Sequence, residues 1–292
     1  MNILHLIGGW LAICVLALVV PTPGTALVPS APTVSVPTTR AAALPGHPVL
    51  EANGVYLSAN LDPSRPAPLL VALHGFSGSG GGIAGRLRSC ADQYGWLVLA
   101  PTMAYRDYFD PSQLRSDAQE NLPAVHALID ELRSGVSGFA LQSKLLLYGF
   151  SRGAQMADRF SVLYPAEVAG VATLSAGSYT LPETEDATHR PLLFPFGISD
   201  LNAIATAPFD QAAFSRIPFW VGVGGNDTNP ADTSRAWDTY EGQTRVERAQ
   251  AFATQVQGQG GSVELHVFGG AGHEETGSMR LSACAFLARQ SA

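Results

Sequence analysis

One serine of this sequence lies in a setting that suits a nucleophile. Ser151 is the central residue of the G-x-S-x-G pattern at 149–153, which follows an apolar strand-like run and precedes a helix-like run. A sharp strand-to-helix turn exposes the serine hydroxyl, and its flanking glycines relieve backbone crowding. The helix N-terminus also directs backbone N–H groups toward a developing negative charge. The pattern predicts that Ser151 is a nucleophile, with a purely structural turn as the alternative.

A glycine-rich segment upstream is placed to assist this serine. The segment His74-Gly75-Phe76 and the glycines after it follow the strand-like run 68–73. We expect the backbone N–H groups of Phe76 and Arg152 to form an oxyanion hole. A phosphate-binding loop is the alternative, but neither phosphate-loop glycine pattern is present. His74 precedes the serine in the chain, so we interpret it as a hydrogen-bonded structural histidine rather than a base.

Two later strand-like runs end in residues that would complete a catalytic triad. Asp227 ends the run "WVGVGGND", and His273 ends "HVFGGAGH". Functional residues gather at the carboxyl ends of parallel strands. In this interpretation His273 takes the Ser151 proton and Asp227 orients the imidazole. Asp200 lies in an irregular segment and Asp232 lies deeper in its loop, so Asp227 is predicted to be the acid.

Strand-like and helix-like runs alternate along 46–292, and this alternation would position the site. Short runs rich in Val and Leu are typical of strands covered on both faces; they are "PLLVALHG", "WLVLAP", "KLLLYGF", "VAGVATLSAG", "PFWVGVGG" and "VELHVFGG". Helices are predicted at 83–94, 116–132, 152–163, 244–257 and 279–289. The chain is therefore predicted to be an α/β protein with a mostly parallel central sheet and helices on both faces. Residues 50–61 are predicted to form an antiparallel edge hairpin that turns at Asn53-Gly54.

The segment 181–216 has no regular period and contains several prolines and phenylalanines. Long irregular insertions in compact domains are often functional. We expect a small cap in which Phe194, Phe196, Phe209 and Phe214, together with Phe76, line an apolar substrate pocket. The alternative is that these phenylalanines seal the core.

Several of these segments together resemble the esterase and polyhydroxybutyrate-depolymerase-like branch of the α/β-hydrolases over residues 66–290: "LHGFSGSG", "YGFSRGAQMA", "VGGNDTNP", "WDTYEGQTRVERA" and "GGAGHEE". The resemblance implies the α/β-hydrolase fold and hydrolysis of polyester, acetyl or feruloyl esters. We expect a serine carboxylesterase that forms an acyl-enzyme on Ser151 from an ester with an apolar or aromatic acyl group or from a polyester oligomer. The alternatives are a serine peptidase, an acyltransferase or a non-catalytic member of the same fold. No cofactor and no metal is expected.

The N-terminal segment predicts export. Residues 6–20 are almost wholly apolar and precede "PTPGTA", a length that suits a signal-peptide core and is short for a membrane span. We expect 1–26 to be a signal peptide, with an uncleaved membrane anchor as the alternative. Residues 27–45 are predicted to be a Pro/Thr/Ser-rich linker, and 46–292 the catalytic domain. The protein is expected to be secreted or periplasmic, or anchored to the membrane.

Charge and cysteine content narrow the class of protein further. The net charge of −7 provides no basis for nucleic-acid binding. The partner expected for an esterase is a small-molecule or polymeric ester substrate. Of the three cysteines, Cys14 lies in the apolar N-terminal run, which leaves Cys90 and Cys284 after signal-peptide removal. Exported chains are oxidised, and both residues lie in predicted helices; the resemblance to α/β-hydrolases implies that these helices pack on the same face of the sheet. We therefore predict a Cys90–Cys284 disulfide, with two buried free thiols as the alternative.

Overall fold

A seven-stranded sheet with the spatial order β1-β3-β2-β4-β5-β6-β7 forms the centre of the protein. This computed structural model describes residues 54–135, 140–205 and 207–291. The strands are β1 (Gly54–Leu57), β2 (Ala67–Leu73), β3 (Leu97–Ala100), β4 (Leu141–Phe150), β5 (Val168–Leu174), β6 (Pro218–Gly224) and β7 (Ser262–Phe268). Strand β1 pairs antiparallel with β3, and each other neighbouring pair is parallel. The prediction of a mostly parallel sheet is confirmed.

Helices cover both faces of this sheet, as predicted. They are α1 (Gly80–Tyr94), α2 (Pro111–Gly135), α3 (Arg152–Leu163), α4 (Gln211–Phe214), α5 (Asp238–Glu241), α6 (Arg245–Gly258) and α7 (Gly277–Gln290). One apolar core lies between the sheet and α2, α3 and α6. The other lies between the opposite face and α1 and α7. We call these the α3 face and the α1/α7 face.

Side-chain alternation explains why the central strands are apolar throughout. In β2, Leu69, Val71 and Leu73 point into the core of the α3 face. Leu70 and Ala72 point into the core of the α1/α7 face. Successive side chains of a strand project from opposite faces, so a strand covered on both sides needs apolar residues at every position.

Two predicted elements differ from the structure. Gly54 was predicted to lie in a hairpin turn, but it begins β1, which pairs with β3, so this partner of the edge strand is distant in sequence. Helix α2 begins at Pro111 instead of Ser116. Asp110 Oδ1 accepts the Ser112 N–H at 2.8 Å, and proline suits the first helical position, so the helix can begin earlier.

A disulfide joins α1 to α7, which confirms the predicted pair. Cys90 and Cys284 are both fully buried, and their Cα atoms are 6.1 Å apart. The bond is compatible with an extracellular location. Within the described ranges, no helix has the length and apolar character needed to span a membrane. The predicted signal peptide or anchor (1–26), the linker (27–45) and the start of the catalytic domain at 46 lie outside the described residues.

Candidate active site

Ser151 occupies a strained turn between β4 and α3. Its φ of 54° and ψ of −114° place a non-glycine residue in the left-handed half of backbone space. The flanking glycines make this possible. A Cβ atom at Gly149 would overlap the carbonyl oxygen of Gly153, and one at Gly153 would overlap that of Leu73. The turn therefore presents the serine side chain above the sheet edge, as the sequence pattern predicts.

The side chains of Ser151, His273 and Asp227 form one hydrogen-bonded chain. Ser151 Oγ lies 2.9 Å from His273 Nε2, and His273 Nδ1 lies 2.8 Å from Asp227 Oδ2. The loops after β6 and β7 carry Asp227 and His273, so adjacent parallel strands deliver both residues to the same edge as Ser151. The imidazole stacks on Phe150 with ring centroids 5.3 Å apart, which fixes its plane.

Arg245, the first residue of α6, holds the other side of the Asp227 carboxylate. Its guanidinium donates to Asp227 Oδ1 at 2.9 Å, and the side chains are only 7% and 2% exposed. Burial opposes ionisation of Asp227, but the hydrogen bond from His273 and the Arg245 charge outweigh it and lower the pKa of this carboxyl. Arg245 also donates to the Asp232 carbonyl at 2.7 Å. Asp227 is thus an ionised hydrogen-bond acceptor for the imidazole.

The competing carboxylates lie elsewhere. Asp200 Oδ2 accepts from Arg115 at 2.7 Å and Asp200 Oδ1 accepts the Phe194 N–H at 2.7 Å, so this side chain stabilises the irregular segment. Asp232 lies on the cavity rim, and its backbone carbonyl is held by Arg245. Of the three candidate acids, the one that contacts His273 is Asp227.

The glycine-rich loop after β2 runs directly beside the serine. A Cβ atom at Gly75 would lie 3.5 Å from that of Ser151, and Phe76 follows along the cavity wall. The Arg152 N–H belongs to the first turn of α3, where backbone donors have no intrahelical acceptor. Phe76 and Arg152, the two residues predicted to supply oxyanion donors, thus line the same cavity as Ser151.

His74 anchors this loop and does not contact the serine. Its Nε2 accepts the Met103 N–H at 2.9 Å, which leaves the proton on Nδ1 to donate to the Gly75 carbonyl at 2.7 Å. Burial lowers the pKa of His74 and favours this neutral form. The geometry agrees with the interpretation of His74 as a structural histidine.

The side chain of Arg152 is turned away from the cavity mouth and into the protein. It donates to Asp117 Oδ2 at 2.7 Å and to Gln155 Oε1 at 2.6 Å, and it lies over the Tyr105 ring at 5.2 Å. Asp117 also accepts the Arg106 N–H at 3.0 Å. This buried pair ties the start of α3 to α2 and so holds the Arg152 N–H in place.

Glu275 anchors the loop that carries His273. Its carboxylate accepts from the Tyr148 hydroxyl at 2.9 Å, from Arg86 at 2.8 Å and from Arg280 at 3.3 Å. These contacts join the loop of His273 to β4, α1 and α7. The Glu275 side chain is only 5% exposed, so these buried contacts help to hold the loop of His273 in position.

An open cavity of about 630 Å³ surrounds Ser151. On the α1/α7 side it is lined by Phe150, Arg86 and His273. Gln155 of α3 and Gly177, which follows β5, also line it. The lining includes further polar and aromatic groups: Ser77, Tyr108, Asp232, Thr233, Ser234, Glu274 and Glu275. The cavity is therefore more polar than the predicted apolar substrate pocket.

Four of the five phenylalanines expected to line the pocket lie elsewhere. Phe76 lines the cavity and is about half exposed. Phe194 and Phe214 are 2% and 1% exposed within the core of the α3 face, and Phe196 and Phe209 pack against the same core. The expectation of an aromatic cap was wrong for these four residues. These side chains are buried because they find apolar partners in that core.

No protein-family model and no curated protein matches the chain, but solved structures match it over most of its length. Poly(aspartic acid) hydrolase-1 from Sphingomonas sp. KT-1 superposes with a TM-score of 0.59 at 18% identity, covering 82% of this chain and 98% of that one. LpqC, a poly(3-hydroxybutyrate) depolymerase from Bordetella parapertussis, superposes with a TM-score of 0.62 at 19% identity, covering 82% and 86%. Esterase PE8 superposes with a TM-score of 0.57 at 16% identity, covering 82% and 99%.

The chain has the α/β-hydrolase fold. At these sequence identities the likeness shows that the fold is shared. It does not show that the substrates of those proteins are substrates of this one.

The sequence motifs did not reveal Arg245, Glu275 or Gln155. Their partners are distant in the chain, so no short motif announces them. One signal was present for Arg245. The buried positions Ala249 and Phe252 of α6 continue back to Arg248 and Arg245 at helical spacing, which places two arginines on an otherwise apolar stripe. Charges on a core-facing stripe indicate buried partners.

Proposed function

We propose that this protein is a serine carboxylic-ester hydrolase. The observation that carries the proposal is the hydrogen-bonded chain from Ser151 Oγ through His273 to Asp227, with distances of 2.9 and 2.8 Å. The cavity around these three side chains is also lined by Phe76 and Arg152, whose backbone N–H groups are the proposed oxyanion donors, and it is large enough for an ester substrate. The α/β-hydrolase fold supports this assignment.

In the acylation step, His273 Nε2 takes the hydroxyl proton as Ser151 Oγ attacks the ester carbonyl carbon. The carbonyl π electrons move to oxygen, and the N–H groups of Phe76 and Arg152 stabilise the resulting oxyanion. Collapse of this tetrahedral species expels the alcohol, which receives the proton from His273. The ionised Asp227 stabilises the imidazolium between these two proton transfers.

In the deacylation step, water attacks the acyl-enzyme by the same route. His273 takes a proton from the water, the tetrahedral species forms on the same oxyanion donors, and Ser151 Oγ leaves with the returned proton. The products are the free carboxylic acid and the starting enzyme. The step needs no external cofactor for its balance of atoms and electrons.

The alternatives use the same first step. A peptidase expels an amine, and an acyltransferase passes the acyl group to an alcohol or amine in place of water. We also propose that the protein acts outside the cytoplasm, because the buried disulfide between α1 and α7 suits an oxidising compartment. The apolar N-terminal run would then be its export signal or its anchor.

The test is turnover of p-nitrophenyl acyl esters of rising chain length, with feruloyl, acetyl-xylan, polyester and peptide substrates alongside. We expect ester hydrolysis that is lost by several orders of magnitude in Ser151→Ala. The matched control is Ser134→Ala, because Ser134 is exposed on α2. Cleavage of peptides alone, or acyl transfer without hydrolysis, would contradict the esterase assignment.

A further inference from the structure

One buried amide on the cavity wall has a donor without an acceptor. Gln155 lies one helical turn after Ser151 and is only 5% exposed. Its Oε1 accepts from Arg152 at 2.6 Å and from Arg159 at 3.3 Å. Among the described residues its Nε2 has no hydrogen-bond partner. Nε2 is not one of the fully enclosed polar atoms that lack a partner, so its remaining surface faces the cavity, where water or a substrate can accept its hydrogen bond.

The orientation of this amide is fixed by chemistry. A guanidinium group only donates hydrogen bonds, so the amide oxygen must face Arg152 and Arg159. The NH₂ group then points away from both of them. Two charged donors on Oε1 also polarise the amide and strengthen Nε2 as a donor. The site cannot exchange donor for acceptor by flipping the side chain.

Gly177 keeps this donor open to the cavity. Both residues line the cavity, and a Cβ atom at Gly177 would lie 2.6 Å from Gln155 Nε2. The backbone of Gly177 lies outside the left-handed region, so its conformation does not require glycine. What the missing side chain provides is access to the amide.

The position of this donor relates it to the acyl half of a substrate. The leaving alcohol must face His273, which protonates it, and the His273 ring stacks on Phe150 at the α1/α7 side. Gln155 projects from α3, on the opposite face of the sheet. A substrate whose alcohol faces His273 has its acyl chain free to extend toward Gln155 and Gly177.

We propose that Gln155 is a specificity-determining residue that donates a hydrogen bond to an acceptor oxygen on the acyl chain, such as an ether, ketone or ester oxygen. This rests on the esterase function proposed above and narrows its substrate class. A wholly aliphatic chain displaces water from the amide and supplies no acceptor, so the site discriminates against it. The acyl pocket then has one polar wall, in contrast to the wholly apolar pocket predicted from the sequence.

The test compares isosteric acyl chains in which oxygen replaces one methylene group. The p-nitrophenyl esters of pentanoate, ethoxyacetate and 3-methoxypropanoate differ only at that position. Gln155→Glu keeps an oxygen for Arg152 and Arg159 and replaces the donor by an acceptor. Gly177→Ala keeps the glutamine side chain and places a methyl group against Nε2, at a spacing that forces the amide to shift and covers the donor. Gln250→Glu, at an exposed position of α6, is the matched control.

The readout is kcat/KM for each oxygen-bearing ester divided by that for pentanoate. Dividing the wild-type ratio by the variant ratio removes the intrinsic reactivity of each ester. For at least one of the two oxygen positions, we expect this ratio to fall about tenfold in Gln155→Glu and in Gly177→Ala. A tenfold change corresponds to the loss of one hydrogen bond. The ratio should stay unchanged in the control, Gln250→Glu. If Gln155→Glu does not fold, Gly177→Ala decides the result.

Unchanged ratios at both oxygen positions, with pentanoate hydrolysis still dependent on Ser151, would overturn this inference and leave the esterase function standing. A response confined to oxygen in the alcohol, tested with butyl and 2-methoxyethyl pentanoate, would overturn the acyl-side assignment. Absence of hydrolysis of every ester by the wild-type protein would overturn the esterase function, and this inference with it.

Discussion

Replacement of Arg245 by methionine tests how the acid of the triad is held. The change keeps an apolar stem of similar length and removes the guanidinium that donates to Asp227 at 2.9 Å and to the Asp232 carbonyl at 2.7 Å. Breaking a buried ion pair by removing one partner costs about 3–5 kcal/mol. Asp227 keeps its hydrogen bond to His273, so we take the lower value, about 3 kcal/mol. For a domain of this size that corresponds to a fall in Tm of about 6–12 °C.

The pH dependence of this effect has a definite sign. The pKa of Asp227 is lower in the folded than in the unfolded protein, so the stability gained from its ionisation is fully present above the unfolded pKa. It is lost as pH falls through the folded pKa. The difference in Tm between the wild type and Arg245→Met is therefore full near pH 7 and narrows below about pH 4. We also expect kcat to fall about 10- to 100-fold, because the carboxylate that orients His273 loses its second anchor.

Thermal unfolding followed by circular dichroism at both pH values measures the effect on stability. The matched control is Arg289→Met, since Arg289 pairs with Glu264 at 2.7 Å but both side chains are about half exposed. Exposed pairs contribute less than about 1 kcal/mol. An Arg245→Met protein that melts within about 2 °C of the wild type near pH 7, or a difference that widens in acid, would refute the reasoning.

Three further predictions concern the acid, the disulfide and a buried carboxyl. Asp227→Asn should lower kcat about 10⁴-fold in steady-state assays while Asp232→Asn changes it by less than about tenfold; the reverse order would show that the acid is misassigned. The double change Cys90→Ala and Cys284→Ala, across a sequence separation of 194, should lower the free energy of unfolding in urea by about 5 kcal/mol, and a loss below about 1 kcal/mol would contradict the loop-entropy argument. Burial raises the pKa of Asp158 to about 7, so the folded state binds more protons and wild-type stability falls as pH rises from about 4 to 7. The Tm of Asp158→Asn minus that of the wild type should be larger near pH 8 than near pH 4, and an equal difference would contradict this.

Local signals predicted the elements that position the proposed triad. The strand–G-x-S-x-G–helix pattern placed α3 at 152–163, the bounds that the structure has. Thr244, predicted to start a helix, is the N-cap of α6, with Glu247 completing a capping box. Asp227 and His273 were predicted because each ends an apolar strand-like run later in the chain than Ser151. Such signals lie within a few residues of one another, so a single sequence carries them.

Pairings over long sequence distances could not be predicted in this way. Strand β1 pairs with a strand about 40 residues later, so local turn chemistry at Asn53-Gly54 was misleading. A phenylalanine-rich segment is typical both of a pocket wall and of a protein core. Only the packing of the folded protein shows that Phe194 and Phe214 belong to the core. The polar wall at Gln155 depends on arginines whose burial no local pattern shows.

Active-site labelling with a fluorophosphonate, followed by peptide mass spectrometry, tests the central claim most directly. The reagent phosphonylates a serine whose hydroxyl is activated by a neighbouring base. We predict a single adduct on the peptide that contains Ser151, and loss of this adduct in both Ser151→Ala and His273→Ala. An adduct on another serine, or labelling of Ser151 that persists without His273, would contradict the proposal that these side chains form a working triad.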